Sequence, residues 1–282
     1  MAKTRVLISV KTYPAISKKY DELVCTAGFL EDGSWIRIYP VPFRKLPYEQ
    51  QYKKWQWIEL DLIKNTEDFR KESFRPYDMD ENIEIIGSID TKNNWQLRKE
   101  IALKNVCYNL TDLIEKSKIK PHPLSLAVFK PKEIIDFVIE EVDREWNPKK
   151  LKSISHKRLN RSLFDIDSPY KVFETVKKLP YKFSYVFKSE GDTEHKLMIE
   201  DWEIGALYWN SLKKSNGDEI EACKKIKEQY WDNFVKNKDL YFFLGTKKDK
   251  HYLARNPFSI IGVFYPDKDK PHVPSLFDFD IK

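Results

Sequence analysis

The sequence predicts an α+β protein, with an N-terminal antiparallel β-barrel-like unit followed by a smaller strand–helix domain. Three observations lead there. Short runs rich in Val, Ile and aromatic residues recur between residues 5 and 89, broken by Pro, Gly and charged residues, the pattern of a β-rich unit. Apolar residues at helical spacing are concentrated in 93–119 and 201–235. No GxGxxG, GxxxxGK(S/T) or HExxH string occurs, so dinucleotide-fold, P-loop and zincin readings lose their usual support. The expected organisation is a β-rich nucleic-acid-binding domain over 1–145, a basic linker over 146–180, an α+β domain over 181–270 and an extended tail over 271–282.

RVLISV (5–10) is short, β-branched and apolar, as a buried strand should be. Pro14 interrupts regular structure, and the loop around it holds Lys11, Tyr13, Ser17, Lys18, Lys19 and Tyr20. Lysines interleaved with tyrosines suit a phosphate-and-base surface, which makes Lys11 and Tyr13 candidate contacts; a plain solvated loop is the simpler alternative. Residues 23–29 and 35–41 flank Asp32-Gly33, a turn dipeptide that admits positive φ, and form the clearest hairpin. In its second strand Ile36 and Ile38 face one way and Trp35, Arg37 and Tyr39 the other. The isoleucines want the core, leaving an aromatic–Arg–aromatic face beside Arg44 and Lys45. Trp35, Arg37, Tyr39 and Arg44 are therefore candidate stacking and phosphate contacts. Residues 56–63 and 83–89 complete the first set of strands.

Helical spacing covers 93–105 and 109–119, with Thr111 as the expected cap of the second. LSLAVF (124–129) reads as a strand, and IIDFVIEEV (134–142) as strand or helix, because its period is ambiguous. Residues 149–161 carry Lys149, Lys150, Lys152, Lys157, Arg158 and Arg161 without an acid. That run is either a solvated linker or a segment tracking a phosphate backbone, whose contribution would fade with salt. KFSYVF (182–187) and HKLMIE (195–200) form a second hairpin around Gly191-Asp192, and 201–215 reads as a helix with Asp201 at its N-cap. Residues 218–235 form an amphipathic helix with charge pairs at i,i+4, and 239–248 and 258–266 are buried strands.

A chain of 282 residues with 41% hydrophobic and 14% aromatic content can pack a substantial core. Its net charge of +6 is mildly basic and compatible with a phosphate partner. Cys25, Cys107 and Cys223 are odd in number, widely spaced and without a CxxC. They argue for a reducing compartment and against a disulfide frame or cysteine zinc site. No apolar run approaches the ~18 residues of a membrane helix. The expectation is a cytoplasmic protein without a membrane partner.

The densest acid–base chemistry lies at 194–203, and three readings compete for it. Glu194-His195-Lys196 is the ExK half of a metal-dependent nuclease, although KFSYVF supplies no preceding acid. Alternatively Asp201 or Glu203 is the essential carboxylate of glycosidic cleavage, steadying an oxocarbenium-like centre with His195 assisting and no metal or other cofactor. In that case the basic tracks hold DNA through backbone and base, and Trp35, Tyr39, Trp202 or Tyr208 holds a flipped base. In the third reading Asp201 is only a cap, Glu203 only complements the helix dipole, and His195 is a satisfied core histidine. Non-catalytic nucleic-acid binding, as a sensor or adaptor, follows from that one.

TYP (12–14), WIRIYPVPFR (35–44), YKFSYVF with HKLMIEDWE, and FFLGT with FSIIGVFYP resemble strings in uncharacterised bacterial proteins of mobile and phage-defence gene neighbourhoods. The resemblance spans most of the chain but brings no characterised catalytic motif. It implies a nucleic-acid target, phage DNA with modified bases, and an antiviral DNA glycosylase that excises such a base. Leu276, Phe277 and Phe279 loosely resemble the C-terminal peptides by which DNA enzymes hold a sliding clamp, without the usual glutamine. Packing of the tail onto its own domain is the simpler expectation.

Overall fold

The computed structural model describes residues 3–17, 21–78, 82–148, 151 and 175–269. Its fold is mixed α+β, with a curled half-barrel sheet in the N-terminal part. That sheet comprises β1 (Thr4–Lys11), β2 (Ala15–Ser17), β3 (Asp21–Phe29), β4 (Trp35–Val41), β5 (Gln56–Leu60), β6 (Leu62–Lys64), β7 (Ser73–Pro76) and β8 (Glu84–Ser88). The strand order is β6-β7-β4-β3-β1-β5-β8, with β2 on β3, and every pairing is antiparallel except β4 with β7. The expected strand over 56–63 is broken at Asp61 into β5 and β6. The Asp32-Gly33 turn forms as expected, with Gly33 at φ +83° and Ser34 N–H donating to Asp32 Oδ1 at 2.8 Å.

β1 shows why both faces of this sheet are buried. Val6 and Ile8 point into the curl, where they meet Val24, Ile36, Ile38, Ile58 and Leu60. Leu7 points outward. A bulge between Ile8 and Val10 turns Val10 to that same outer side. There Leu7, Val10, Phe29 and Trp55 pack against Val128, Phe243, Ile261 and Phe264 from the C-terminal half. A strand apolar on both faces is what sheets covered on both sides require.

Helix α1 (Lys92–Ala102) follows, its first turn distorted by left-handed Asn93, Asn94 and Trp95. The short strand β9 (Val106–Cys107) then leads to helix α2 (Leu110–Lys118). Asn109, rather than Thr111, caps α2, because its side chain accepts from Thr111 and Asp112 N–H. β10 (Leu126–Phe129) and β11 (Glu133–Glu141) come next, which resolves the ambiguous 134–142 as strand.

Residues 121–145, grouped by sequence with the N-terminal unit, pair with later strands: β11 with β12 (Tyr181–Lys188), and β10 with β14 (Tyr241–Thr246). These partners are too distant in sequence for local pattern to reveal. β12 continues into β13 (Glu194–Met198), giving a sheet β11-β12-β13. β15 (Phe258–Phe264) completes a second sheet, β15-β14-β10-β9. Helices α3 (Trp202–Lys214) and α4 (Glu219–Lys227) follow β13, and α4 runs into a π-helical segment, Glu228–Val235. Ile204 and Tyr208 of α3 and Tyr230 of that segment join Phe183, Tyr185, Phe187 and Phe242 in the largest core.

Candidate functional site

The N-terminus of α3 meets the end of β1. Thr12 bridges to Asp201, and Tyr13 N–H donates to Glu200 O at 2.8 Å. Asp201 is the expected N-cap, its Oδ1 accepting from Glu203 N–H at 3.2 Å. It is also 0% exposed. A buried carboxylate needs a counter-charge, and Lys54 supplies it: Nζ lies 2.8 and 2.7 Å from the two Asp201 oxygens and 3.0 Å from Glu203 Oε2. Burial pushes the Asp201 carboxyl up to about 6 against the pull of Lys54. Burial disfavours the Lys54 ammonium, but the charges of Asp201 and Glu203 outweigh it and hold the pKa above the ordinary lysine value.

Lys11 lies beside this triad and is solvated differently. It is 8% exposed, donates to Tyr52 O at 3.0 Å, and sits 4.3 Å from the Phe43 ring centroid and 5.4 Å from that of Trp202. Burial, then repulsion from Lys54, lowers its pKa to about 8.

A groove of about 280 Å³ is lined by Tyr13, Arg44, Thr175–Lys177, Trp202, Ala206 and Trp209. Trp202 and Trp209 are seven residues apart, two turns of one helix face, or ~10 Å along the axis. Between them Gly205 admits the Tyr13 ring, which an added Cβ would overlap. Trp209 Nε1 donates to Tyr13 OH at 2.7 Å, and that hydroxyl donates to Lys177 O at 2.8 Å. Arg44 is held at 2.6 Å by buried Glu22, which also accepts Val176 N–H at 2.9 Å. The groove thus presents indole and phenol faces beside guanidinium and ammonium groups. Such walls suit a flat aromatic ligand carrying negative charge.

Several expected site residues lie elsewhere. His195 is on β13, six residues before Asp201, and does not line the groove. It bonds to Ser189 Oγ at 3.0 Å, and burial lowers its pKa. Arg37 is 2% exposed and is not a surface contact. Its guanidinium donates to Ser125 Oγ at 2.8 Å, Ser125 O at 3.2 Å and Glu72 Oε1 at 3.3 Å. Trp35 packs on Phe29 and Phe243, with centroids 4.2 and 5.6 Å away. Tyr39 is half-buried, and its carbonyl accepts from Asn65 Nδ2 at 3.1 Å. The face carrying Trp35 and Arg37 is therefore covered by later segments, through Phe243 and Ser125. Lys149, Lys150, Lys152, Lys157, Arg158 and Arg161 lie outside the described residues, as does the 271–282 tail.

For the nuclease reading, Lys196 pairs with Glu140 at 2.8 Å. Among the described residues no three His, Cys, Asp or Glu side chains come together to hold a metal. No helix among them is long and apolar enough to cross a membrane. Sequence reasoning missed Lys54, Glu22, Lys177 and Trp209. Only Trp209 carried a legible signal, the i,i+7 spacing from Trp202 across small Gly205 and Ala206.

Residues 2–104 match DUF8758 and residues 108–280 match DUF8757, each a domain of unknown function. The chain belongs to the DUF8757 family. No curated protein matches it. The division between the two matched domains falls just before β10 and β11 join their later partners. The groove uses both parts, with Tyr13 and Arg44 from the DUF8758 segment and Trp202 and Trp209 from the DUF8757 segment.

Proposed function

We propose that this protein binds nucleic acid and holds one unpaired base in the groove between Tyr13, Trp202 and Trp209. The observation that carries the reading is the composition of the groove, three aromatic side chains beside Arg44 and Lys177 in a space large enough for one base with its sugar. Base stacking on such rings tolerates any sequence, while the cations meet the adjoining phosphates. The net charge of +6 adds long-range attraction. Fluorescence anisotropy with a labelled single-stranded oligonucleotide tests the reading. Trp209→Ala should weaken binding by about 1–3 kcal/mol, and affinity should fall as salt rises. Equal binding by wild type and variant would overturn it.

A second reading, excision of a modified base by an antiviral DNA glycosylase, is supported by Glu203, an exposed carboxylate next to the groove residue Trp202 in the chain; Asp201, 0% exposed and held by Lys54, can only position it. An anion there would steady the oxocarbenium-like centre of glycosidic cleavage. His195 has no part in this version. With the same preparation in EDTA, base release lost in Glu203→Gln supports excision; binding without release makes the protein a reader of nucleic acid, a sensor or adaptor.

A further inference from the structure

We propose that Lys11 is a nucleophilic amine that forms an imine with a carbonyl substrate, and that within nucleic acid this carbonyl is the ring-opened C1′ aldehyde of an abasic sugar. The inference rests on the nucleic-acid reading above and names a substrate for the same corner.

The geometry begins with how unevenly two neighbouring lysines are served. Lys54 takes both nearby carboxylates. Among the described residues Lys11, buried beside it, has one hydrogen-bond acceptor, the Tyr52 carbonyl, and the rings of Phe43, Tyr52 and Trp202, with no ion pair. Structural buried lysines keep a counter-ion because an unpaired buried ammonium is costly. An amine desolvated among rings and placed next to a second cation is the arrangement that makes a lysine nucleophilic near neutral pH. The lowered pKa of Lys11 accords with it. Trp202 is shared, lining the groove and lying 5.4 Å from Lys11 Nζ. The Trp202 indole thus borders both the Lys11 amine and the groove.

In the reaction, the lone pair of the neutral amine forms a bond to the carbonyl carbon as the carbonyl π pair moves to oxygen. That oxygen takes one proton from the nitrogen and one from its surroundings and leaves as water, so that the product is a protonated imine.

The test is reductive trapping. Full-length protein is incubated at pH 8 with an oligonucleotide carrying one abasic site, treated with borohydride, digested and mapped by mass spectrometry. The expected result is a secondary-amine adduct on the Lys11 peptide. Lys11→Arg should lower the adduct about tenfold or more, since a guanidinium cannot substitute for the amine, while Lys53→Arg should leave it unchanged. Anisotropy with the same oligonucleotide carrying a tetrahydrofuran in place of the abasic sugar is measured in parallel. Binding without a Lys11 adduct, or adducts spread over surface lysines, overturns the imine proposal alone. Failure to bind overturns both it and the nucleic-acid reading. Because the site is mapped on the wild type, the result does not depend on the variant folding.

Discussion

Lys11 and Lys54 are both nearly buried, close together, and shifted in opposite directions. The difference is the partner: two carboxylates for one, a carbonyl and three rings for the other. This has a measurable consequence for stability. The Lys11 pKa of about 8 lies below the ordinary 10.5, so between those values the unfolded chain binds more protons than the folded one. Stability should therefore rise with pH across that window and be lost as pH falls through about 8. Relative to Lys11→Met, the wild type should gain ~3 kcal/mol in urea unfolding between pH 7 and 10.5. A difference that stays flat with pH would show that Lys11 is solvated as an ordinary lysine. Lys11 and Tyr13 are legible as residues of interest because lysines and tyrosines interleave there, Arg44 because it follows an aromatic–Arg strand, and Asp201 as a helix cap. Lys54 is not, since its partner Asp201 is 147 residues away.

Among the elements, α3 does most to shape the site. Its buried side includes Ile204 and Tyr208, and its groove side is Trp202, Ala206 and Trp209, with the Tyr13 ring lying over Gly205. Replacing a helical glycine by alanine ordinarily stabilises by about 1 kcal/mol. Here Gly205→Ala should do the reverse, because the new methyl displaces the Tyr13 ring and breaks its bonds to Trp209 and Lys177. The expected outcome is a lower Tm together with weaker oligonucleotide binding; a raised Tm would show that Tyr13 moves aside without cost. Element types were largely legible, since alternation, helical period and N-caps are local signals. The misses were local competitions or irregularities: Asn109 capping ahead of Thr111, the break at Asp61, and the left-handed first turn of α1.

At the scale of the molecule, the segments matched by the two domain families share one aromatic core and one buried polar network. Phe29, Trp35 and Trp55 pack on Phe243. Arg37 reaches Ser125, and Ser125 also donates to Glu72. Arg70, paired with Asp68, donates to the Thr246 carbonyl at 2.5 Å. Arg37→Met should cost about 3–5 kcal/mol by leaving Glu72 buried without its cation. The loss should appear in a single calorimetric transition, and two separated transitions would mean that the segments fold independently.

The sequence by itself determined the α+β class, most strands and helices, and the cap at Asp201, because each follows from periodicity or hydrogen bonding within a few residues. It also showed that Trp35 and Arg37 share a face. What covers that face was decided only by the tertiary structure: Arg37 and Ser125 are 88 residues apart, and no local pattern distinguishes an aromatic surface awaiting a base from one awaiting another sheet. Packing likewise joined Tyr13, Arg44, Trp202 and Trp209 into one groove, since proximity between distant segments is set by which apolar faces must be buried together.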